Sequence, residues 1–573
     1  MALAKVSLED KYVLESGRIY LSGTQALVRL PMIQKRRDEA AGLNTGSFIT
    51  GYRGSPLGAL DQELWRAKKF LSKHNIRFQA GVNEDLAATA IWGSQQVGLH
   101  GDATVDGVFS MWYAKGPGVD RSGDVLRHAN FAGSSENGGV LLLAGDDHTC
   151  KSSTTSHQSE YAFVDAHVPV LNPAGVQEFL DYGIIGWAMS RYSGCWVAMK
   201  TVAETVDTSA SVYVDPHRVE LVEPTDFDMP EGGLNIRWPD TPQEQEYRLE
   251  RYKLYAAIAF ARANGIDRTV IDSSNARLGI ATCGKSYLDV RQALEDLNID
   301  EADCERIGIR IYKVGMTWPL DRKGILNFAE ARLKVVGYES DNIKRRLAML
   351  AKIEKSLESI SPLMQRTPYF CSGCPHNTST KVPEGSRAMA GIGCHYMVQW
   401  MDRETETFTH MGAEGANWIG QSPFVKTEHI FQNIGDGTFH HSGSMAIRAA
   451  VEANANMTYK ILFNDAVAMT GGQPPAAGEK PVAITADRIT RMVYSEGVQD
   501  ITVVVDDPDK YPAGSRLIVY SVTCVSAGAC QCWFMTRPAP QKSAVAGNAE
   551  PFRTRPDGCL SMKRSVRVVA IAV

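Results

Sequence analysis

From the N-terminus to about residue 220, short apolar runs alternate with helical stretches. "TGSFITGYRGSPLG", "DGVFSMWYAKGPG" and "GGVLLLAGDD" each read as a buried strand that opens into a Gly/Pro-rich loop. Runs without polar alternation suit strands covered on both faces, which predicts a parallel sheet between helical layers. Ligands of such sheets lie beyond the carboxyl ends of the strands, so the loops there are the place to look for chemistry.

Farther along, "DMPEGGLNIRWPDTPQEQEYRLERYKLYAAIAFARANG" begins as a polar connector and turns into an amphipathic helix. A second unit sets strands "RLGIATCG" and "RIGIRIYKVG" on either side of helical "SYLDVRQALEDLNI". Residues 339–366, rich in Lys, Arg, Glu and Leu, read as a helical linker. A third unit starts at "TPYFCSGCPHN", with strands at "HIFQNIG", "YKILFN" and "ITVVVDD". No short-period repeat is visible.

Composition narrows the class only slightly. The 573 residues suffice for roughly three or four domains. A net charge of −5 offers no general nucleic-acid or membrane surface. The opening "MALAKVSLEDKYVLESG" has no apolar core of a signal peptide, and no run reaches membrane-spanning length, so the expected address is cytoplasmic. Eleven cysteines in such a chain point to free thiols, metal or redox chemistry rather than disulfides. Cys150, Cys195, Cys283 and Cys304 are scattered and suit buried small side chains. Cys371, Cys374 and Cys394 cluster; Cys-x-x-Cys plus a third thiol suits an iron–sulfur cluster, zinc, or an idle pair.

The stretch "FQNIGDGTFHHSG" stops an apolar run at Gly435-Asp436-Gly437. Asn464 follows after 26 intervening residues, the length of one helix and one strand, which brings Asp436 and Asn464 to neighbouring strand ends. Carboxylate and amide oxygens are hard donors suited to Mg²⁺, which takes few protein ligands and completes its shell with phosphate oxygens. A Gly-rich turn entering a helix offers backbone N–H groups to a diphosphate. This pattern resembles the thiamine diphosphate motif, which implies Asp436, Asn464 and the backbone carbonyl of Ala466 as metal ligands. A thiamine site also needs a carboxylate beside the pyrimidine, contributed by another domain. Glu84 in "AGVNEDLAATAIWGSQQ" stands where a strand gives way to a helix, and is expected to be that group.

The blocks "YFCSGCPHNTSTKVPEGSRAMAGIGCHYM", "ILFNDAVAMTGGQ" and "GYRGSPLG" resemble the 2-oxoacid:ferredoxin oxidoreductases, and within them the long fused bacterial indolepyruvate ferredoxin oxidoreductases. The resemblance runs over residues 15–514. It implies an α/β chain of the thiamine diphosphate-binding fold, with two doubly wound parallel-sheet domains plus a transketolase-C-like α/β domain. The expected boundaries are a pyrimidine-type domain over 1–225, connector helix and transketolase-C-like domain over 226–338, linker 339–366, and diphosphate/Mg²⁺-binding domain 367–514. The implied reaction is oxidative decarboxylation of an aryl 2-oxoacid to an acyl-CoA, with coenzyme A as co-substrate and ferredoxin taking the electrons. By position, Ser55 matches a Thr that holds substrate carboxylate and oxygen, and Lys115 and Arg121 are cations on a strand-end loop fit for carboxylate or phosphate. Thr470 and Gly471 should lie near the diphosphate. Cys371, Cys374 and Cys394 match three ligands of a [4Fe–4S] cluster, which needs a fourth. A homodimer is expected, with neither nucleic acid nor membrane as partner.

Two departures stand out. Between "RLKVV", read as a strand, and helical "SDNIKRRLAMLAKIEKSL" the chain is shorter than the family pattern. After "DDPDKYPAG" the strand-and-helix grammar dissolves. Permissible codons from Trp533 onward, read two bases later, give Val-Tyr-Asp-Gln-Thr-Cys-Ala-Thr-Glu-Lys and four arginines, which resembles the family's basic segment with a cysteine placed to be the missing ligand. Codons for Cys559 to Val573 shift likewise to a segment with Cys-x-x-Cys-x-x-Cys spacing. Residues 515–573 therefore read as an out-of-frame tail, expected to be disordered or poorly packed, with Cys524, Cys530, Cys532 and Cys559 not converging on a metal. A non-oxidative thiamine decarboxylase and an inactive gene remnant stay open beside the oxidoreductase.

Overall fold

The computed structural model describes residues 7–150, 155–333, 368–371, 374, 376–464, 484–498, 500–505 and 566–572, together with Arg345, Ala348, Met349 and Lys352. In the N-terminal unit, strands β1 (Gly17–Ser22), β2 (Thr45–Gly51), β3 (Ile76–Phe78), β4 (Gly107–Lys115), β5 (Val140–Asp146), β6 (Val170–Leu171), β7 (Val197–Val202) and β8 (Ser209–Val214) alternate with helices. β1 and β8 form a separate antiparallel pair. The main sheet runs 6-7-5-4-2-3, parallel throughout. β2 and β5 are buried along their whole length, which is why their sequences lack alternation. Helix Gly23–Ala40 covers one face; Ser22 and Gln25 close its start reciprocally, side chain to backbone N–H, at 3.2 Å each way.

The connector becomes helix Pro242–Ala263, opened by a Thr241/Glu244 capping box and widened by a π turn at Leu249–Lys253. That turn aims the buried Lys253 Nζ at the carbonyls of Asn130 (3.2 Å) and Phe131 (3.0 Å), docking the connector on the N-terminal unit. The middle unit holds β9 (Arg268–Ile271), β10 (Leu278–Cys283) and β11 (Ile309–Val314) in the order 10-11-9, the first pair parallel and the second antiparallel. β12 (Met316–Trp318) leaves it to pair antiparallel with β6, so the middle unit closes one edge of the N-terminal sheet.

One reading needs correcting here. Arg332 and Leu333, expected to open a strand, are the end of helix Arg322–Leu333. The helix is held on β11 by Arg310, whose Nη1 donates to Phe328 O (2.8 Å), and by packing of Tyr312 on Phe328 at 5.1 Å. These tertiary contacts override the β-branched signal. The remainder of "RLKVV" and most of the linker 339–366 lie outside the described residues.

The third unit is a parallel sheet of β13 (Ala388–Met389), β14 (Ile430–Gly435), β15 (Met457–Phe463), β16 (Asp500–Val505) and β17 (Val566–Ala572), in the order 13-14-15-17-16. β17 corrects the expectation for the tail over its seven residues: it pairs along its whole length with β15 and from Arg567 onward with β16. A β-branched run of this length suits a strand. Cys524, Cys530, Cys532 and Cys559 lie outside the described residues.

The N-terminal and third units share one apolar core, from Phe48, Trp112 and Trp196 to Trp418, Ile434 and Ile461. Helices Glu84–Gln95 and Ala416–Gln421 cross there at backbone contact. A Cβ on Gly93 would stand 1.8 Å from Asn417 O, and one on Gly420 the same distance from Ala90 O. Beside them Thr104 N–H donates to Phe424 O and Lys426 N–H to Asp102 O, each at 2.9 Å. Gly420→Ala is therefore expected to destabilise the chain by about 1 to 3 kcal/mol, since neither backbone can yield. Denaturant unfolding of the variant against the parent checks this.

Candidate active site

The register of β14 on β15 sets Gly435 opposite Leu462, so the two strands end side by side. Asp436, 2 % exposed, starts the first helical turn after β14. Its Oδ1 accepts from Gly437 N–H (2.8 Å) and its Oδ2 from Asn464 N–H (3.1 Å). The carboxylate thus joins both strand ends, as the spacing suggested. Ala466, Thr470 and Gly471 lie outside the described residues. A π turn at Phe439–Gly443 and helix Ser444–Glu452 follow, so the Gly-Asp-Gly turn does enter a helix. A buried carboxylate beside an amide residue, over a turn rich in N–H groups, is a donor set that fits a hard divalent ion with diphosphate.

Around this turn lie groups that sequence reading missed. The His395 ring, 2 % exposed, comes within 3.5 Å of where a Cβ on Gly435 would be. Its Nε2 and both side-chain polar atoms of Asn433 are buried without a hydrogen-bond partner among the described residues. Burial, with the charge of His376 adding to it, holds the His395 imidazole down at about 3, and burial alone holds His376 at about 4. Both rings are neutral at physiological pH. Thr438 Oγ1 donates to Ile392 O (3.2 Å), tying the Gly-Asp-Gly turn to "GIGC".

Glu414, fully buried, caps the same region: its Oε2 accepts from Gly412 N–H (2.8 Å) and its Oε1 from Ile392 N–H (3.3 Å). Burial pushes its carboxyl up to about 7 against the pull of those N–H groups. The folded chain then keeps a proton that the unfolded chain releases between about pH 4.5 and 7, so stability falls as pH rises through that window. Glu414→Gln is expected to remove this slope, worth roughly 3 kcal/mol at most. Unfolding free energies on either side of the window measure it. A signal was available in "HMGAEGANW", where a lone carboxylate sits between small and apolar residues.

The N-terminal unit contributes the carboxyl ends of β2, β4 and β5. Glu84 begins helix Glu84–Gln95, behind Asn83, whose Oδ1 accepts from Leu86 N–H (2.9 Å). Gly118 leaves the room Glu84 occupies: a Cβ there would lie 2.4 Å from Glu84 Cγ and 2.6 Å from Oε1. Arg121 closes that same short helix, Gly116–Arg121, and its Nη2 approaches Met445 Sδ of the third unit at 4.0 Å. The short helix that packs on Glu84 at Gly118 thus faces, through Arg121, the helix following Asp436. Ser55 is exposed on the loop after β2. Lys115 packs into the space beside Gly54, and its Nζ is 3.7 Å from Asp147 Oδ2. Behind them the buried Asp146 accepts from Ser159 N–H (3.0 Å) and Oγ (2.6 Å) and lies 3.4 Å from Lys200 Nζ.

Of the clustered thiols, Cys371 is exposed and Cys374 and Cys394 are half-buried. Burial raises both half-buried thiols, and the neighbouring thiols raise them further. The three cysteines approach one another, yet among the described residues no three His, Cys, Asp or Glu groups converge to hold a metal ion. A cubane cluster takes four thiolates, and among the described residues these three have no fourth beside them. Of the scattered cysteines, Cys195 and Cys304 are buried while Cys150 and Cys283 are only partly so. Among the described residues, no helix is long and apolar enough to cross a membrane.

Comparison with known proteins bears on this geometry. Residues 391–509 match the C-terminal TPP-binding domain of thiamine pyrophosphate enzymes, and residues 268–355 match the indolepyruvate oxidoreductase domain. The indolepyruvate oxidoreductase subunit IorA of Methanothermobacter marburgensis is 24 % identical over 560 residues, covering 87 % of this chain and 84 % of that protein. Its counterpart in Archaeoglobus fulgidus is 25 % identical over 555 residues, covering 86 % and 82 %. Among solved structures, a 2-oxoglutarate:ferredoxin oxidoreductase from Magnetococcus marinus aligns with 55 % of this chain and 56 % of its own, at 16 % identity and a TM-score of 0.39.

Proposed function

We propose that this chain, a homologue of the indolepyruvate oxidoreductase IorA subunits over most of its length, catalyses the thiamine diphosphate-dependent oxidative decarboxylation of an aryl 2-oxoacid to an acyl-CoA, with ferredoxin as electron acceptor. The observation that carries the reading is the Asp436–Asn464 pair, joined at 3.1 Å across adjoining strand ends inside the matched thiamine domain. Asp436 and Asn464, with the carbonyl of Ala466, would hold Mg²⁺, and the Gly435–Gly437 turn with Thr470 and Gly471 would receive the diphosphate. When bound, thiamine diphosphate supplies the carbon nucleophile and electron sink for decarboxylation. Glu84 exchanges a proton at the pyrimidine N1′ atom, and Gly118 keeps the space that lets it do so. Ser55, Lys115 and Arg121 hold the substrate carboxylate and oxo group by charge and hydrogen bonding. A cytoplasmic homodimer is part of the same reading.

Cys371, Cys374 and Cys394 are assigned to a [4Fe–4S] site only in company with a fourth thiolate. A second reading, non-oxidative decarboxylation without electron export, needs no cluster. Anaerobically prepared protein given indolepyruvate, coenzyme A and oxidised ferredoxin separates the two. Acyl-CoA with reduced ferredoxin supports the oxidoreductase. Release of CO₂ and aldehyde independent of both co-substrates supports the decarboxylase. A frame-corrected chain is expected to bind more iron and to reduce ferredoxin faster than this one. Equal iron and equal reduction would refute the out-of-frame reading of the tail.

A further inference from the structure

One short loop of the third unit touches both units that form the site just described. Thr409–Gly415 runs between the apolar contact of Phe408 on Trp92 (6.0 Å) and the crossing helix Ala416–Gln421. At its start His410, 3 % exposed, brings Nε2 to 3.0 Å from Asp85 Oδ1 of the N-terminal unit. Asp85 is the residue after Glu84, in the first turn of the same helix. Two residues past His410, Gly412 adopts φ +98° against the π turn after Asp436: a Cβ on it would meet Ser442 Oγ at 1.9 Å. Glu414, at the far end of the loop, takes the N–H of Ile392 two residues before Cys394.

We infer that His410 is a positioning residue: through Asp85 it fixes the first turn of helix Glu84–Gln95, and so sets the Glu84 carboxylate at the distance from the Gly435–Gly437 turn that a cofactor spanning both would require. The inference rests on the thiamine reading above. The Asn83 cap and two further contacts also hold Glu84. Its carbonyl accepts from Trp112 Nε1 (3.0 Å), and its side chain lies against Gly118, which restrains from one side only. Lateral restraint across the interface comes from His410. The other ionisable groups facing that ring, His128 (ring centroids 6.5 Å apart) with its partner Asp124 (3.2 Å) and Glu414 beyond, complete the enclosure.

The test uses the full chain saturated with thiamine diphosphate and Mg²⁺, reading the near-ultraviolet circular dichroism of the bound aminopyrimidine tautomers and the rate of C2–H exchange. His410→Ala is expected to keep cofactor affinity within about 3-fold while exchange falls about 100-fold, the scale of an ångström of misplacement. The imino tautomer signal should be lost with it. His410→Gln, whose amide nitrogen reaches about as far as Nε2, should restore both. Asp85→Ala, which removes the oxygen that faces Nε2, should reproduce the loss and serves where His410→Ala fails to fold. Retention of the signal and the exchange rate in His410→Ala, while Glu84→Gln loses both, overturns the inference alone. Retention of both in Glu84→Gln removes Glu84 from proton exchange at N1′ and overturns the inference with it, whereas a parent chain that binds no thiamine diphosphate overturns the thiamine reading.

Discussion

Asp436→Ala is expected to abolish Mg²⁺-dependent binding of thiamine diphosphate. Loss of groups that merely orient metal ligands costs about 10- to 100-fold in affinity, so loss of the charged ligand itself should exceed about 100-fold. The carboxylate would bring the ion's only protein anion, and it already gathers Gly437 N–H at 2.8 Å and Asn464 N–H at 3.1 Å. Asp436→Asn is the informative companion, since it keeps one oxygen for those N–H groups while removing the charge. Calorimetric titration with cofactor and Mg²⁺ should show no binding for alanine and weakened binding for asparagine. Parental affinity in the alanine variant would remove Asp436 from the metal site.

Glu84→Gln should separate binding from chemistry. An amide fits the space beside Gly118, so affinity for the cofactor should stay within a few-fold. It cannot exchange a proton at N1′, so C2–H exchange should slow by about 10²- to 10⁴-fold, the span of general acid–base catalysis. Gly118→Ala approaches the same group from outside, because its Cβ would stand 2.6 Å from Glu84 Oε1 and force the carboxylate away. Exchange followed by NMR, with quenching at set times, measures both variants. Parental exchange in Glu84→Gln would take Glu84 off the catalytic list.

What sequence could reveal here followed from local rules. Strands β2, β4, β5, β10, β11, β14 and β15 were legible because burial on both faces, or a short strand–helix–strand repeat, writes itself into consecutive residues. The pairing of Asp436 with Asn464 was legible for the same reason, since one such repeat separates them. His410, Glu414 and His395 were not. Each acquires meaning from a residue far away in the chain: His410 from Asp85, Glu414 from Ile392, His395 from the space above Gly435. Nor was the helix at Arg322–Leu333, whose β-branched continuation misled until its packing on Tyr312 was seen. The tail shows a different limit. A reading built on lost grammar did not foresee that Val566–Ala572 could still pair into a sheet.

That strand gives the third sheet a timetable. Met457–Phe463 and Asp500–Val505 emerge from the ribosome well before Val566–Ala572, the strand that stands between them. At about 5 to 20 residues per second, they wait several seconds for the neighbour they both need. Throughout that interval each offers an open edge of unpaired N–H and C=O groups, the surface on which nascent chains associate with one another. The interior of the N-terminal sheet has no comparable gap, since strands β2 to β7 are all complete by Val202 and only the outer edge of β6 waits for β12. Newly made chains should therefore depend on chaperones mainly through their last domain, and the yield of folded protein should respond to translation speed over the final hundred or so codons more than over the first two hundred.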